Sequence, residues 1–295
     1  MRKEIQEYYG ISSDRISVCG APHFDAHVMA PSGDLVGATL GSLGLEAKKP
    51  YLFFGMSSPY FAPHEIDIVE WLADAVRKDL FGSSLQLLVR LHPQNVSGNM
   101  ADLSWLSRLE TLEGGRVGID YPTLEKSQLR WNMAAEDLPK LAALLRGCSV
   151  SLNSGSTLSL DAITHDKPVI LTSFDADYEV PWWKSVRRGP EYPHMVKLIA
   201  LGGVRVTQSY QDLQAAIEAY LADPGLDAQG RALTKAQECG SCDGLASQRA
   251  ATDLVHRVRH ACSAPRSHFG GPNSKFMHQA TQNSARLLRY CPPIA

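Results

Sequence analysis

The alternation of short apolar runs with amphipathic stretches, from Tyr51 to Ser209, constrains the fold of this chain most strongly. Short apolar runs are typical of buried parallel strands, and apolar residues at helical spacing are typical of the crossover helices between them. The first unit has a strand at Tyr51 to Gly55, a helix over residues 64–80 and a strand at Leu85 to Leu91. The pattern predicts a doubly wound, Rossmann-like α/β domain with a parallel sheet.

The rest of the pattern predicts five or six parallel strands with helices on both faces. Further strands are expected at Arg116 to Asp120, Ser149 to Asn153, Pro168 to Thr172 and Gly203 to Thr207; further helices are expected at Glu136 to Arg146, Ser156 to His165, Asp212 to Leu221 and Gly244 to Val258. Ligands of such sheets bind outside the carboxyl ends of the strands. We therefore expect the functional residues directly after the strands.

The two ends of the chain follow a different pattern. Glu4 to Tyr9 is typical of the end of a helix, and Arg15 to Cys19 of a strand without neighbours, which is not stable alone. We interpret residues 1–26 as the remnant of a preceding domain, 27–50 as an interdomain linker and 51–262 as the α/β domain. Periodicity stops after that, so residues 263–295 are predicted to be a disordered tail.

Composition excludes several classes of partner. Lys and Arg number 29 against 31 Asp and Glu, a net charge of −2, so no overall basic field recruits nucleic acid. No apolar run approaches the roughly 20 residues of a membrane span, and Met1 to Ile5 leads into polar residues rather than into the apolar segment typical of a signal peptide. We expect a cytoplasmic protein, or one peripheral at the inner face of the cell membrane. Cys239 and Cys242 form an isolated Cys-x-x-Cys, for which coincidence is favoured over a redox pair or half of a zinc site.

The clearest chemistry lies where a predicted strand turns into a helix, in the run Ser154, Gly155, Ser156 and Thr157. Gly155 lets the backbone approach an anion, Ser156 or Thr157 can cap the helix, and free amides of the first turn can bind phosphate. Asp161, one helical turn later, could accept hydrogen bonds from ribose hydroxyls. The alternative is a simple N-cap at Ser156 and a solvated Asp161.

A second feature ends the neighbouring strand at the same edge. Pro93 terminates that strand and leaves His92 at the mouth of the crevice, where its ring can donate a hydrogen bond to phosphate. Arg90 could brace the site or pair with an acid in the core. After the first strand, Ser57 and Ser58 form a small-residue loop on the same edge. His92 could instead merely pack beside Pro93, but two anion-binding features on one edge favour a site.

These residues resemble the C-terminal domain of GT-B-fold enzymes. The similar families are bacterial surface-carbohydrate and capsule glycosyltransferases, CDP-glycerol glycerophosphotransferases and non-hydrolysing UDP-N-acetylglucosamine 2-epimerases. The resemblance runs from about Ser12 to Val258, and its landmarks are Arg15 to Pro22 with Phe24 and Asp25, Arg90 to Pro93, Ser154 to Thr157 with Asp161, and Asp166 to Ile170. It implies the C-terminal, nucleotide-sugar-binding half of a GT-B fold, truncated at its N-terminus.

The resemblance also implies the chemistry. In those families the histidine before proline and the serine-rich helix start bind the nucleotide diphosphate, and His92, Ser156 and Thr157 match them. Asp161 stands where the ribose-binding acid is more often Glu. The implied ligands are a CDP-, CMP- or UDP-linked sugar or glycerol donor and a glycan acceptor. His92 would stabilise the leaving phosphate electrostatically, without a metal or other cofactor.

Three functions remain open at this point. The first is the donor-binding half of a glycosyltransferase that builds a bacterial surface polysaccharide. The second is an epimerase-like protein acting on UDP-N-acetylglucosamine, and the third is a non-catalytic nucleotide-binding fragment or subunit. Because the similar families place the acceptor and usually the catalytic base in an N-terminal domain, we expect the isolated chain to be inactive. A partner chain carrying such a domain could complete it.

Overall fold

A computed structural model of the protein describes residues 2–29, 34–98, 102–125 and 132–263. Residues up to Ala250 belong to one compact unit, and the described part of a second unit, residues 251–263, is helical. The helices are α1 (Arg2–Tyr9), α2 (Asp25–Val28), α3 (Leu35–Ser42), α4 (Glu65–Arg77), α5 (Pro93–Ser97), α6 (Leu103–Leu112), α7 (Asp137–Gly147), α8 (Leu158–Thr164), α9 (Pro193–Ala200), α10 (Tyr210–Ala222), α11 (Ala228–Thr234) and α12 (Ala246–Ser263). Within the described ranges no helix is both long and apolar enough to cross a membrane.

Six strands form an all-parallel sheet in the order β3-β2-β1-β4-β5-β6. They are β1 (Tyr51–Gly55), β2 (Gln86–Arg90), β3 (Val117–Asp120), β4 (Val150–Asn153), β5 (Val169–Thr172) and β6 (Arg205–Thr207). The six strands predicted between Tyr51 and Thr207 are confirmed. The order is that of a Rossmann-type sheet, and it reverses direction between β1 and β4, the topological switch point.

The strands form because their side chains are buried on both faces of the sheet. Successive side chains of a strand point to opposite faces. In β1, Leu52 and Phe54 belong to one core cluster, whereas Tyr51 and Phe53 belong to the cluster on the other side. Continuous apolar runs such as Tyr51–Gly55 are therefore needed. Fully burying one such side chain contributes roughly 1.5–3 kcal/mol.

Helix α4, which follows β1, also forms around buried apolar residues, but these recur at helical spacing. Ile66, Val69, Leu72 and Val76 of α4 are at most 1% exposed and pack into the core with β1 and β2. They recur three or four residues apart, so they share one face of the helix. The predicted helix over residues 64–80 is thereby confirmed, and α7, α8, α10 and α12 likewise correspond to predicted helices.

The N-terminal segment differs from its prediction. The strand expected at Arg15 to Cys19 is wrong: a single 3₁₀ turn at Ser13–Arg15 is followed by backbone that pairs with no described strand. A run of apolar residues cannot form a strand without a neighbour to accept its hydrogen bonds. The segment 27–50, expected to be a linker, contains the end of α2 and all of α3, and its Leu40 and Leu45 are buried in the core.

Several elements have no counterpart in the prediction. They are α5, α6, α9 and α11, together with a π-helical turn at Lys235–Cys239. The predicted disordered tail lies outside the described residues, apart from Ser263, which ends α12.

Candidate functional site

The loop Ser154–Thr157 lies between β4 and α8, at the switch point of the sheet. Asn153 Oδ1 accepts hydrogen bonds from the amides of Gly155, at 3.0 Å, and Ser156, at 2.7 Å. Ser156 Oγ accepts from Leu158 N at 3.2 Å, while Thr157 is exposed and its side chain caps nothing in the described chain. The amides of Gly155 and Ser156 are thus bonded within the loop, and the amide of Leu158, in the first turn that was expected to have free amides, is bonded to Ser156 Oγ. What the loop offers a ligand is chiefly its hydroxyls.

Two glycines make this corner of the sheet compact. A Cβ on Gly55, the last residue of β1, would collide with the side chain of Leu158 at the start of α8. Gly155 has φ of +92°, a left-handed conformation that residues with a Cβ rarely adopt. The loops after β1 and β4 therefore come close together at the switch point.

His92 caps α5 at the carboxyl end of β2. Gln94 N donates a hydrogen bond to His92 Nδ1 at 3.2 Å, so Nδ1 acts as an acceptor. Burial lowers the pKa of His92, which keeps the imidazole neutral at pH 7. A neutral ring with an accepting Nδ1 carries its proton on Nε2. His92 therefore presents an N–H donor, and its ring lines the cavity described below.

The loop after β1 is fixed from two directions. Ser57 N donates to Glu65 Oε2 at 2.6 Å, and Asn95 Nδ2 donates to Ser57 O at 3.4 Å. Asn95 belongs to α5, so this contact joins the loop after β1 to the helix that His92 caps. Ser58 is only 2% exposed. Both predicted serines consequently lie in a defined position beside His92.

Glu65 is a buried acid that the sequence analysis did not single out. Ser154 Oγ donates to its Oε1 at 2.5 Å and bonds Thr172 Oγ1 at 2.8 Å. Desolvation raises the pKa of Glu65 to about 7, against an ordinary 4.5, and outweighs the hydrogen bonds from Ser154 and Ser57, which act to lower it. In the sequence, the only feature that could have pointed to Glu65 was its place as an acid in the first turn of a helix that follows a Gly-Ser loop.

These loops surround one cavity, which we call the switch-point cavity. It has a volume of about 210 Å³ and is lined by Ser57, Ser58, Phe61, His92, Ser154, Gly155, Ser156, Val186, Gly189, Tyr192 and His194. The wall from Val186 to His194 was not foreseen. Buried Asp175 holds it, because its carboxylate accepts hydrogen bonds from Ser185 Oγ and Val186 N. None of the described lining residues is a lysine or an arginine.

Arg90 does not reach this cavity. Its guanidinium is 5% exposed and pairs with the carboxylates of Asp120 and Asp137. Lys140 Nζ joins the same network, at 2.9 Å from Asp120 Oδ1 and 3.3 Å from Asp137 Oδ1. Of the two roles weighed for Arg90, the structure shows pairing with acids in the core. Strand alternation alone would put residues 90 and 92 on the same face, but β2 ends at Arg90 and His92 already belongs to the cap of α5.

Asp161 also lies outside the lining of the cavity. Its Oδ1 is 2.8 Å from His23 Nε2 and 3.3 Å from His27 Nε2, and its side chain is 9% exposed. His27 Nδ1 is in turn 3.1 Å from His165 Nε2. The alternative of a solvated Asp161 is therefore wrong, because its carboxylate is buried beside His23 and His27; the ribose contact stays a prediction. We call His23, His27, Asp161 and His165 the histidine cluster.

Comparison with solved structures finds this fold in larger proteins. MnaA of S. aureus, solved with UDP, superposes with a TM-score of 0.50 at 16% identity, covering 90% of this chain and 59% of that one. The wall teichoic acid polymerase TagF gives 0.53 at 15% identity, with 89% and 57% covered. The UDP-GlcNAc 2-epimerase of Methanocaldococcus jannaschii, in complex with UDP-GlcNAc and UDP, gives 0.51 at 14% identity, with 86% and 58% covered.

These comparisons show the fold. The resemblance inferred from sequence is confirmed at that level: the chain has the Rossmann-like half of a GT-B architecture. It spans less than three fifths of the length of the structures it matches. No protein-family model and no curated protein matches the sequence.

Proposed function

We propose that this chain is the donor-binding half of a glycosyltransferase or glycerophosphate transferase, and that the diphosphate of a CDP- or UDP-linked donor binds in the switch-point cavity. The observation that carries the proposal is the convergence of the loops after β1, β2 and β4 on one cavity. Rossmann-type sheets bind nucleotides in the crevice at the switch point. Proteins of the same fold have been solved with UDP and UDP-GlcNAc.

Hydrogen-bond donors would bind the diphosphate there. His92 contributes Nε2–H, and the hydroxyls of Ser57, Ser58 and Ser156 lie around it. The amides of Gly155 and Ser156 already bond Asn153, so they add only a secondary attraction. As the bond to the donor phosphate breaks, a fixed N–H from His92 would stabilise the developing charge.

The same geometry predicts weak binding by the chain alone. A volume of about 210 Å³ is small, since ligand pockets usually measure roughly 300–1,000 Å³. No lysine or arginine lines the cavity within the described residues, and Glu65 lies behind Ser154. We therefore expect a dissociation constant for UDP or CDP of about 0.1 to 1 mM, or roughly 4 to 5.5 kcal/mol of binding free energy.

The test is a titration of the protein with UDP, with CDP and with inorganic pyrophosphate, in which binding is monitored by protein NMR. His92→Ala should weaken nucleotide binding at least tenfold, because a hydrogen bond to a charged phosphate contributes roughly 1.5–3 kcal/mol. His256→Ala, on the exposed surface of α12, is the matched control and should bind as the parent does. Equal affinity of the His92→Ala variant and the parent would remove His92 from the site.

The domain organisation is part of the proposal. We infer that residues 1–26 and 27–50 represent the junction with a preceding domain, and that 51–262 is the donor-binding domain. A second domain, in this polypeptide or a partner chain, would bring the glycan acceptor and the catalytic base. The purified 295-residue chain should accordingly bind donor and show no sugar transfer.

An epimerase remains the second candidate because the M. jannaschii protein of this fold is a UDP-GlcNAc 2-epimerase. Epimerisation needs acid and base groups placed on both sides of the sugar. The two candidate activities can be distinguished by incubating UDP-GlcNAc, without an acceptor, with this chain joined to the proposed second domain. Inversion at the sugar C2, observed by NMR, would favour the epimerase. A donor that stays unchanged without an acceptor, and is consumed once an acceptor is added, would favour the transferase. Donor binding without turnover in either assay would favour a non-catalytic subunit.

A further inference from the structure

The histidine cluster is a separate assembly of ligand-type side chains. His23 and His27 lie one helical turn apart in the segment Pro22–Val28, and both rings face Asp161 of α8. The donor atoms His23 Nε2, His27 Nε2 and Asp161 Oδ1 all lie within 4.8 Å of one another. Residues at positions i and i+4 share one helix face, so this spacing aims both rings at the same point.

The segment carrying the two histidines is held in place. Asp25, between them, accepts hydrogen bonds from Ala246 N at 3.0 Å and Ser247 N at 2.8 Å, at the start of α12. Arg146 Nη2 donates to His27 O at 2.7 Å. Both contacts lie in the first compact unit of the chain. The rings therefore approach Asp161 from a fixed backbone.

His27 contains an unsatisfied polar atom. Its side chain is fully enclosed, and its Nε2 has no hydrogen-bond partner within the described chain, although Asp161 Oδ1 lies only 3.3 Å away. If His27 Nδ1 donates to His165 Nε2, then His27 Nε2 is a bare lone pair facing a carboxylate oxygen. Two acceptors at that separation repel each other unless a cation lies between them. A buried unsatisfied nitrogen of this kind calls for a physical explanation.

We propose that His23, His27 and Asp161 bind one divalent transition-metal ion, for which Zn²⁺ is the best chemical match. Zinc bonds of roughly 2.0–2.1 Å in a tetrahedral site keep neighbouring ligand atoms about 3.3 Å apart. The separation of 3.3 Å between His27 Nε2 and Asp161 Oδ1 equals that value, and the 2.8 Å between His23 Nε2 and Asp161 Oδ1 requires a small opening.

The ligand types select the class of ion. Two imidazoles and one carboxylate suit zinc and its neighbours in the first transition row, whereas Mg²⁺ and Ca²⁺ prefer oxygen ligands. His23 is 44% exposed, which leaves an entry path and a fourth position for water. His165 provides the supporting contact to His27 Nδ1 that metal-bound histidines usually have.

Bound metal would fasten the segment Pro22–Val28 to α8. None of the proposed ligands lines the switch-point cavity, so metal binding can be measured without a nucleotide donor. The nearby Cys239 is not one of the proposed ligands.

A second histidine pair must be removed before the test. His256 and His260 lie on exposed α12 with their Nε2 atoms 3.0 Å apart, a spacing that can chelate metal by itself. The parent protein for the experiment is therefore the full chain carrying His256→Gln and His260→Gln, purified without a polyhistidine tag.

The experiment titrates this parent with Zn²⁺ by calorimetry and with Co²⁺ by absorption spectroscopy. We expect one ion per chain and a tetrahedral Co²⁺ spectrum without a thiolate charge-transfer band. His27→Gln and Asp161→Asn should each weaken Zn²⁺ binding at least tenfold. His23→Gln, at the half-exposed position, should do the same in a folded protein even if the buried variants fail to fold. Cys239→Ser should bind as the parent does, and Mg²⁺ should not bind.

Three results would overturn the proposal. They are no Zn²⁺ uptake by the parent, equal affinity of the His23→Gln variant and the parent, and a thiolate band in the Co²⁺ spectrum. The last would assign the metal to the Cys239 and Cys242 pair instead.

Discussion

Replacing Glu65 by Gln should make the protein more stable, and increasingly so as the pH rises. The carboxyl group of Glu65 is 2% exposed, and desolvation raises its pKa to about 7 from an ordinary value of 4.5. Below pH 4.5 the group is protonated in both the folded and the unfolded chain. Between pH 4.5 and 7 the folded chain binds more protons than the unfolded one, so the free energy of unfolding falls as the pH rises.

The magnitude follows from the difference in pKa. Each pKa unit corresponds to about 1.4 kcal/mol, so ionised Glu65 costs the folded state about 3 kcal/mol above pH 7. Gln has the shape of the protonated acid and does not ionise. Its Oε1 can accept from Ser57 N, and its Nε2 can donate to Ser154 Oγ, so both observed contacts keep a partner.

The assay is urea unfolding of the wild type and the Glu65→Gln variant at pH 5, 6, 7 and 8. The variant should be nearly as stable as the wild type at pH 5 and more stable by about 2 to 3 kcal/mol at pH 8. Glu110→Gln, at an exposed position of α6, is the matched control and should show no such trend. A stability difference that stays constant from pH 5 to pH 8 would refute the assignment of a raised pKa to Glu65.

Two further substitutions test the scaffold around the cavity. Arg90→Ala should lower the free energy of unfolding by about 3–5 kcal/mol, because it leaves Asp120 and Asp137 as buried charges without their main partner; a loss below 1 kcal/mol in urea unfolding would contradict the buried network. Gly155→Ala should cost about 1–2 kcal/mol through its left-handed backbone. The added Cβ would meet Gly189 Cα at an ordinary 3.6 Å, so a much larger loss would indicate steric collision instead.

The sheet could be predicted because five of its six strands are fully buried, and the edge strand β6 is partly buried. A strand such as Tyr51–Gly55 must be apolar throughout, and such runs stand out between amphipathic helices. Helix α6 was missed although Asp102 caps it and Trp105, Leu109 and Leu112 recur at helical spacing. Helix α6 has fewer apolar residues than α4, and serines lie between them. Serine side chains disfavour a helix because they form hydrogen bonds with the nearby backbone in non-helical conformations.

The site was predictable where residues act at the ends of strands. His92, Ser57 and Ser154 follow three strands of one parallel sheet, so their meeting at one edge follows from the topology alone. The pairing of Arg90 with Asp120 and Asp137 was foreseen only as one of two alternatives, since its partners come from separate elements. The raised pKa of Glu65 depends on desolvation by residues that are distant in sequence, so no local sequence pattern indicates it.

The partners of Asp161 could not have been predicted for the same reason, and they bear on its proposed role. His23 lies 138 residues away in sequence, in a segment expected to belong to another domain. A ribose could use the Asp161 carboxylate only by displacing a histidine, and half-exposed His23 is the one that can leave, because His27 is enclosed. A ribose and a metal ion would then compete for one oxygen. Under the two proposals together, Asp161 would serve either the nucleotide or the metal at a given moment, and α8, which begins at Leu158 after the loop Ser154–Thr157, would link the two sites.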